Sequence, residues 1–155
     1  MLRTLTRAIV LAVLMAAFVS GCSGKPAQTP EAFVLEFMSK HLAMIDEGIV
    51  DFYIADEAKA IMQRVSTIVA EKKGLGTLES LKSAKLDLSH LAVKVLEKKE
   101  HSYNDQAYTF LKINVTGKYT LSYGEVSNEY DENETFIIRA EGKHWKVTET
   151  ENPWS

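Results

Sequence analysis

The order of hydrophobic periods along the chain predicts an α+β fold, with N-terminal helices packed on a curved antiparallel sheet. Three observations carry that expectation. Apolar residues recur at helical spacing between Pro30 and Lys73, the spacing changes to alternation from about Leu86, and short polar or glycine-containing turns separate the alternating segments.

Thr29-Pro30-Glu31 is a helix start, with Thr29 as N-cap, Pro30 at the first helical position and an acid in the first turn. The helix is expected to run from Pro30 to about Glu47 and to stop at Gly48. Phe33, Phe37 and Met44 mark its apolar side, with Val34, Met38, Leu42 and Ile45 close by. A short helix or turn over Asp51 to Lys59 then leads into a helix from Ala60 to Lys73, where Ile61, Val65 and Ile68 recur, and Gly74 and Gly76 end it.

Leu91, Val93 and Val95 begin the alternating part, followed by a polar turn at Ser102 to Asp105. The next strand is long. Ala107, Thr109, Leu111, Ile113, Val115, Tyr119 and Leu121 share one face, and Lys112, Asn114, Thr116, Lys118, Thr120 and Ser122 the other. A charged loop is expected from Gly124 to Asn133, then a strand from Glu134 to Glu141, a tight turn at Gly142 and a last strand from Lys143 to Thr150.

The composition agrees with one ordinary domain: 155 residues, 46% hydrophobic and 25% charged. A formal net charge of -3 offers no basic footprint for phosphates, which argues against nucleic acid as a partner. One cysteine makes no intrachain disulfide, and no His/Cys spacing signals zinc. No metal or cofactor is expected.

The N-terminus has a different character. Arg3 and Arg7 precede an uncharged run from Ala8 to Val19, too short for the roughly 20 residues that span a bilayer core. It predicts a signal peptide over residues 1–21. Small residues Ser20 and Gly21 then meet the sole cysteine, and Val19-Ser20-Gly21-Cys22 resembles the bacterial lipoprotein lipobox, with Val19 where leucine is commoner. The resemblance implies cleavage between Gly21 and Cys22, diacylglycerol on the Cys22 sulfur, and acylation of the new amino group. Two or three acyl chains hold a protein stably where one does not. Cleavage removes both arginines and no acid, leaving 16 basic against 21 acidic residues, a net of -5. Residues 22–28 read as lipidated cysteine and flexible tether, and 29–155 as the domain. The resemblance implies a lipid-anchored protein of a bacterial cell envelope. Ser23, where an aspartate would favour inner-membrane retention, points to the periplasmic face of the outer membrane in a Gram-negative host.

Helices followed by long strands, closing on Glu141-Gly142-Lys143-His144-Trp145-Lys146-Val147, resemble the NTF2-like (cystatin-like) cone, and more narrowly the small bacterial lipoproteins of the DUF4878 type. The last hairpin of that type reads acid-Gly-Lys-Trp-Lys-aliphatic, so His144 is an insertion here. The resemblance implies a concave pocket, and Phe37, Tyr53, Phe110, Tyr119 and Trp145 are the candidate lining, although aromatics at such spacing more often fill a core. Homodimers are common for this fold, which makes a second copy one candidate partner.

No catalytic residue is assigned. Ser-elbow, P-loop and dinucleotide motifs are absent, and Gly74-Leu75-Gly76 reads as a helix stop. Asp131-Glu132-Asn133-Glu134 lacks the spacing of a calcium loop. The expectation is therefore a non-enzymatic binding domain, for a protein or a small apolar ligand. The alternative is an NTF2-like enzyme using His41 with Asp46, or His90 with Asp87, as an acid/base pair.

Overall fold

Thr29 opens the first helix through its side chain, whose Oγ1 accepts the Ala32 N–H at 3.2 Å. The computed structural model describes residues 26–155, so the signal-peptide, cleavage and lipidation expectations at residues 1–25, Gly21 and Cys22 included, lie outside the described residues. Helix α1 spans Pro30–His41, shorter than the expected run to Glu47. Its hydrogen-bond ladder ends where Met44 takes φ 51, a left-handed conformation that cannot continue a helix. Asp46 then caps a separate 3₁₀ turn, Glu47–Phe52, by accepting the Gly48 N–H at 2.8 Å. A second 3₁₀ turn, Ala55–Glu57, lies within the short helix or turn expected over Asp51 to Lys59 and feeds α2, Ala58–Gly74. Helix α3, Leu78–Lys82, is one turn long.

All five strands pair antiparallel in one sheet that does not close on itself. They are β1 Lys85–Asp87, β2 Leu91–Tyr103, β3 Gln106–Tyr123, β4 Val126–Glu141 and β5 His144–Thr148. The molecule is thus α+β, with its helices before its strands in chain order, as the periods predict. Strand β3 is central. It pairs with β4 on one side, while β1 and β2 lie end to end along its other side.

The chain crosses from β1 to β2 beside Gly117, where a Cβ would lie 2.2 Å from the His90 carbonyl oxygen and φ is +123. Only glycine fits that approach. Asn104 and Asp105, both at positive φ, turn β2 into β3. Between β3 and β4 the turn is only Gly124 and Glu125. The charged loop expected to Asn133 is instead strand, paired from Tyr123↔Val126 to Gly117↔Glu132 and beyond. Backbone hydrogen bonds are indifferent to side-chain charge, so an acidic segment next to an ordered neighbour continues the ladder.

Helix α1 and the first 3₁₀ turn cover one sheet face. Phe37, Val34, Met38 and Ile49 from that layer meet Ile113, Val115 and Ile138 from the sheet, all fully buried. Burying side chains of this size contributes about 1.5–3 kcal/mol each. Tyr53 forms a parallel bridge with Val147, and the Ile54 N–H bonds the Val147 carbonyl at 3.0 Å, so the outer edge of β5 is occupied.

The opposite sheet face is covered as well. Phe110 is fully buried there, among Tyr103, Tyr108 and Arg139, and the C-terminal segment crosses over it. Arg139 lies over the Tyr108 ring at 4.2 Å and pairs with Glu141 and Glu151. Lys99 holds the Pro153 carbonyl, and Lys112 sits 6.0 Å from the Trp154 ring. The C-terminal segment is thus tied down by charge-assisted hydrogen bonds.

Candidate functional site

A groove of about 680 Å³ opens where the chain enters the domain, between the start of α1, the first 3₁₀ turn and the β4–β5 hairpin. Phe33, Phe52 and Trp145 supply its apolar wall, and Lys40, Lys143 and Lys146 its rim, with Glu36 and Asp51 among them. The wall is an extension of the core: Phe33 and Phe52 are tilted together at 5.6 Å, and Trp145 alternates into the core layer of β5.

Its entrance is built by hydrogen bonds to the incoming chain. The Ala27 N–H donates to the Lys143 carbonyl at 3.1 Å, and the Trp145 indole N–H donates to the Gln28 carbonyl at 2.9 Å. Gln28 Nε2 also donates to Glu36 Oε2 at 3.0 Å. Residues 27 and 28, at the end of the segment expected to be the tether, are docked on the domain by these bonds. Lys40 pairs with Asp46, and that ammonium together with the Gly48 N–H holds the Asp46 carboxyl below the usual carboxylate range. Lys146 donates to the Asp51 carbonyl. The Lys143 side chain has no partner among the described residues, which leaves it to solvent or to a ligand.

The five aromatics expected to line one pocket are dispersed. Phe37 and Tyr53 lie inside the core, edge to face at 5.6 Å, with Phe136 against Phe37 at 5.3 Å. Phe110 is on the opposite sheet face. Tyr119 is half-buried near the β3–β4 tip, stacked on Tyr130 at 5.2 Å. Trp145 alone lines the groove.

The histidines are also rearranged. His41 stacks on Phe37 at 4.9 Å and places Nε2 3.3 Å from Glu134 Oε2, while Asp46 is taken by Lys40. Its Nδ1 is buried without a hydrogen-bond partner among the described residues. Nearby, burial and the neighbouring Glu134 push the Glu132 carboxyl above its ordinary range. Burial and Glu132 likewise raise the Tyr119 hydroxyl. Asp87 accepts the Ser89 N–H at 2.9 Å at the turn before His90, a local arrangement of the kind that shapes loops. Among the described residues no cluster of three or more His, Cys, Asp or Glu is arranged to hold a metal, and no helix is long and apolar enough to cross a membrane.

Two polar constellations have no counterpart in the sequence reading. The Glu57 carboxylate is buried and receives Thr148 Oγ1, the Glu149 and Thr150 N–H groups and Thr150 Oγ1 at 2.7–3.0 Å. Beside it Arg64 grips Glu149 with two contacts of 2.8 Å, and burial, with Glu149 close by, raises the Tyr53 hydroxyl. The guanidinium of Arg64 holds the Glu149 carboxyl below its ordinary value of 4.5.

A folded-state pKa below the unfolded one stabilises the fold fully above the unfolded value and loses that stabilisation as pH falls through the folded value. Thermal melts from about pH 7 down to about pH 3 should therefore show the wild type losing stability below about pH 4.5, and Glu149→Gln losing less over the same window. Equal acid sensitivity of the two proteins would remove this pair as a contributor. No family model matches the chain, and no curated protein or solved structure matches it either.

Proposed function

We propose that the chain is a lipid-anchored protein of a bacterial cell envelope whose NTF2-like cone binds a protein or a small apolar ligand without catalysing a reaction. The observation that carries the reading is the order of the first residues: Arg3 and Arg7, the apolar run Ala8 to Val19, Ser20 and Gly21, then the only cysteine in the chain. Helices lying on one face of an antiparallel sheet, with the crossing at Gly117, support the cone. The groove beside Trp145, with an apolar wall and lysines on its rim, supports binding.

Replacing Cys22 by serine tests the anchor. The wild type should partition with membranes and carry the added mass of its acyl chains, whereas Cys22→Ser should lose both while its melting temperature stays the same. Unchanged partitioning and mass would end the reading.

A second reading, an acid/base enzyme, is favoured by one contact, His41 against Glu134. In a strain lacking the gene, His41→Gln and Glu134→Gln should then fail to complement while melting like the wild type. Full complementation by both would remove it.

A further inference from the structure

We propose that the domain stands end-on at the bilayer, with the β4–β5 turn and the groove facing the lipid surface and the β3–β4 tip pointing away from it. The inference rests on the anchoring reading above and adds which surface meets the membrane.

The incoming chain is fixed at Ala27 by the Lys143 carbonyl and at Gln28 by the Trp145 indole. Between a lipidated Cys22 and Ala27 there are five residue steps, which at full extension span about 18 Å. With the cysteine side chain and the 3.1 Å hydrogen bond from Ala27 to Lys143 added, the β4–β5 turn is held within about 25 Å of the anchoring sulfur. The far end is much more distant. Strand β4 alone runs 16 residues from Val126 to Glu141, about 50 Å at strand rise.

A short tether alone would permit the sheet to tip over and lie flat. Charge opposes that. From Tyr119 to Ile138 the chain carries Glu125, Glu129, Asp131, Glu132 and Glu134 and no lysine or arginine. Lys118 answers Glu129, and Lys85 of β1 lies opposite Ser122, so the distal half keeps an acidic excess. The groove rim at the anchored end is different, with Lys40, Lys143 and Lys146 against Glu36 and Asp51, a local excess of one positive charge. An anionic bilayer attracts basic residues within a Debye length by about 1 kcal/mol each and repels carboxylates. The long axis is thus driven off the surface at one end and held at the other. The groove, sharing Ala27 and Lys143 with the tethered end, then opens towards lipid.

The lipidated full chain supplies its own labelling control, because a thioether at Cys22 leaves no free thiol. Single-cysteine variants Lys143→Cys and Glu125→Cys, each carrying a fluorophore, would be reconstituted in vesicles of phosphatidylcholine and phosphatidylglycerol containing a headgroup-nitroxide lipid. Lys143→Cys should be quenched severalfold and Glu125→Cys should keep its unquenched intensity. Equal quenching at both positions of a lipidated chain, or stronger quenching at 125, overturns the orientation while leaving the anchor standing. An intact mass without acyl chains, with dye on Cys22, brings down the anchoring reading and the orientation with it.

Discussion

Glu57→Ala is expected to destabilise the protein by about 3–5 kcal/mol, the range in which a buried, charge-bearing network loses its centre. The Glu57 side chain ties the start of α2 to the end of β5 by accepting from two backbone N–H groups and two threonine hydroxyls. Alanine would leave those donors facing a cavity. Its charge also sits at the N-terminus of α2, where the helix dipole favours an anion. For a domain of this size the melting midpoint should drop by about 10 °C or more. Glu57→Gln keeps one acceptor oxygen but turns its amide donors towards other donors, so it should fall between the two. Thermal unfolding followed by circular dichroism decides the matter: a loss below about 1 kcal/mol would show that water satisfies the freed groups.

Phe37→Ala is the apolar counterpart, with an expected cost of about 3–5 kcal/mol. The ring is fully buried and touches His41, Phe52, Tyr53 and Phe136, so the change opens a cavity at the meeting point of α1, the first 3₁₀ turn and the sheet. Phe37→Leu, which keeps most of the volume, should cost no more than about 1.5 kcal/mol. Denaturant unfolding of both variants gives the comparison. If the alanine variant lost no more than the leucine variant, Phe37 would be lining open space rather than filling a core.

The layer order was legible because it rests on local signals. Thr29 caps α1 through its own side chain, and the change of period at Leu86 marks the passage from helices to sheet. Other features depend on neighbours that periodicity does not contain. Asp46 diverts the chain into a 3₁₀ turn by capping Gly48, so the apolar spacing through Ile45 outlasts the helix itself. Strand β4 extends through an acidic stretch because β3 is already there to pair with it.

Phe110 shows where the reading of the candidate site stopped. It is out of phase with Leu111, Ile113 and Val115, and that mismatch was a legible sign that both faces of β3 are covered. What covers the second face, the segment around Glu151 to Trp154, has no pattern of its own and was not legible. The same holds for the groove. Trp145 was identifiable as an aromatic of the last hairpin, but its partner, the Gln28 carbonyl, is 117 residues away.

The Glu57 clamp also sets a timetable. Its partners lie 91 to 93 residues further along the chain, and the Tyr53–Val147 bridge joins the same two segments. Pairings of such sequence separation close late, because the entropy of the intervening loop must be overcome before any contact forms. The N-terminal layer is made first yet completed last: α2 acquires its anchor only once β5 has emerged. A chain emerging from its N-terminus onward would therefore stay pliable until its final strand arrived, and chains interrupted before Val147 would lack the contacts that lock the two ends together.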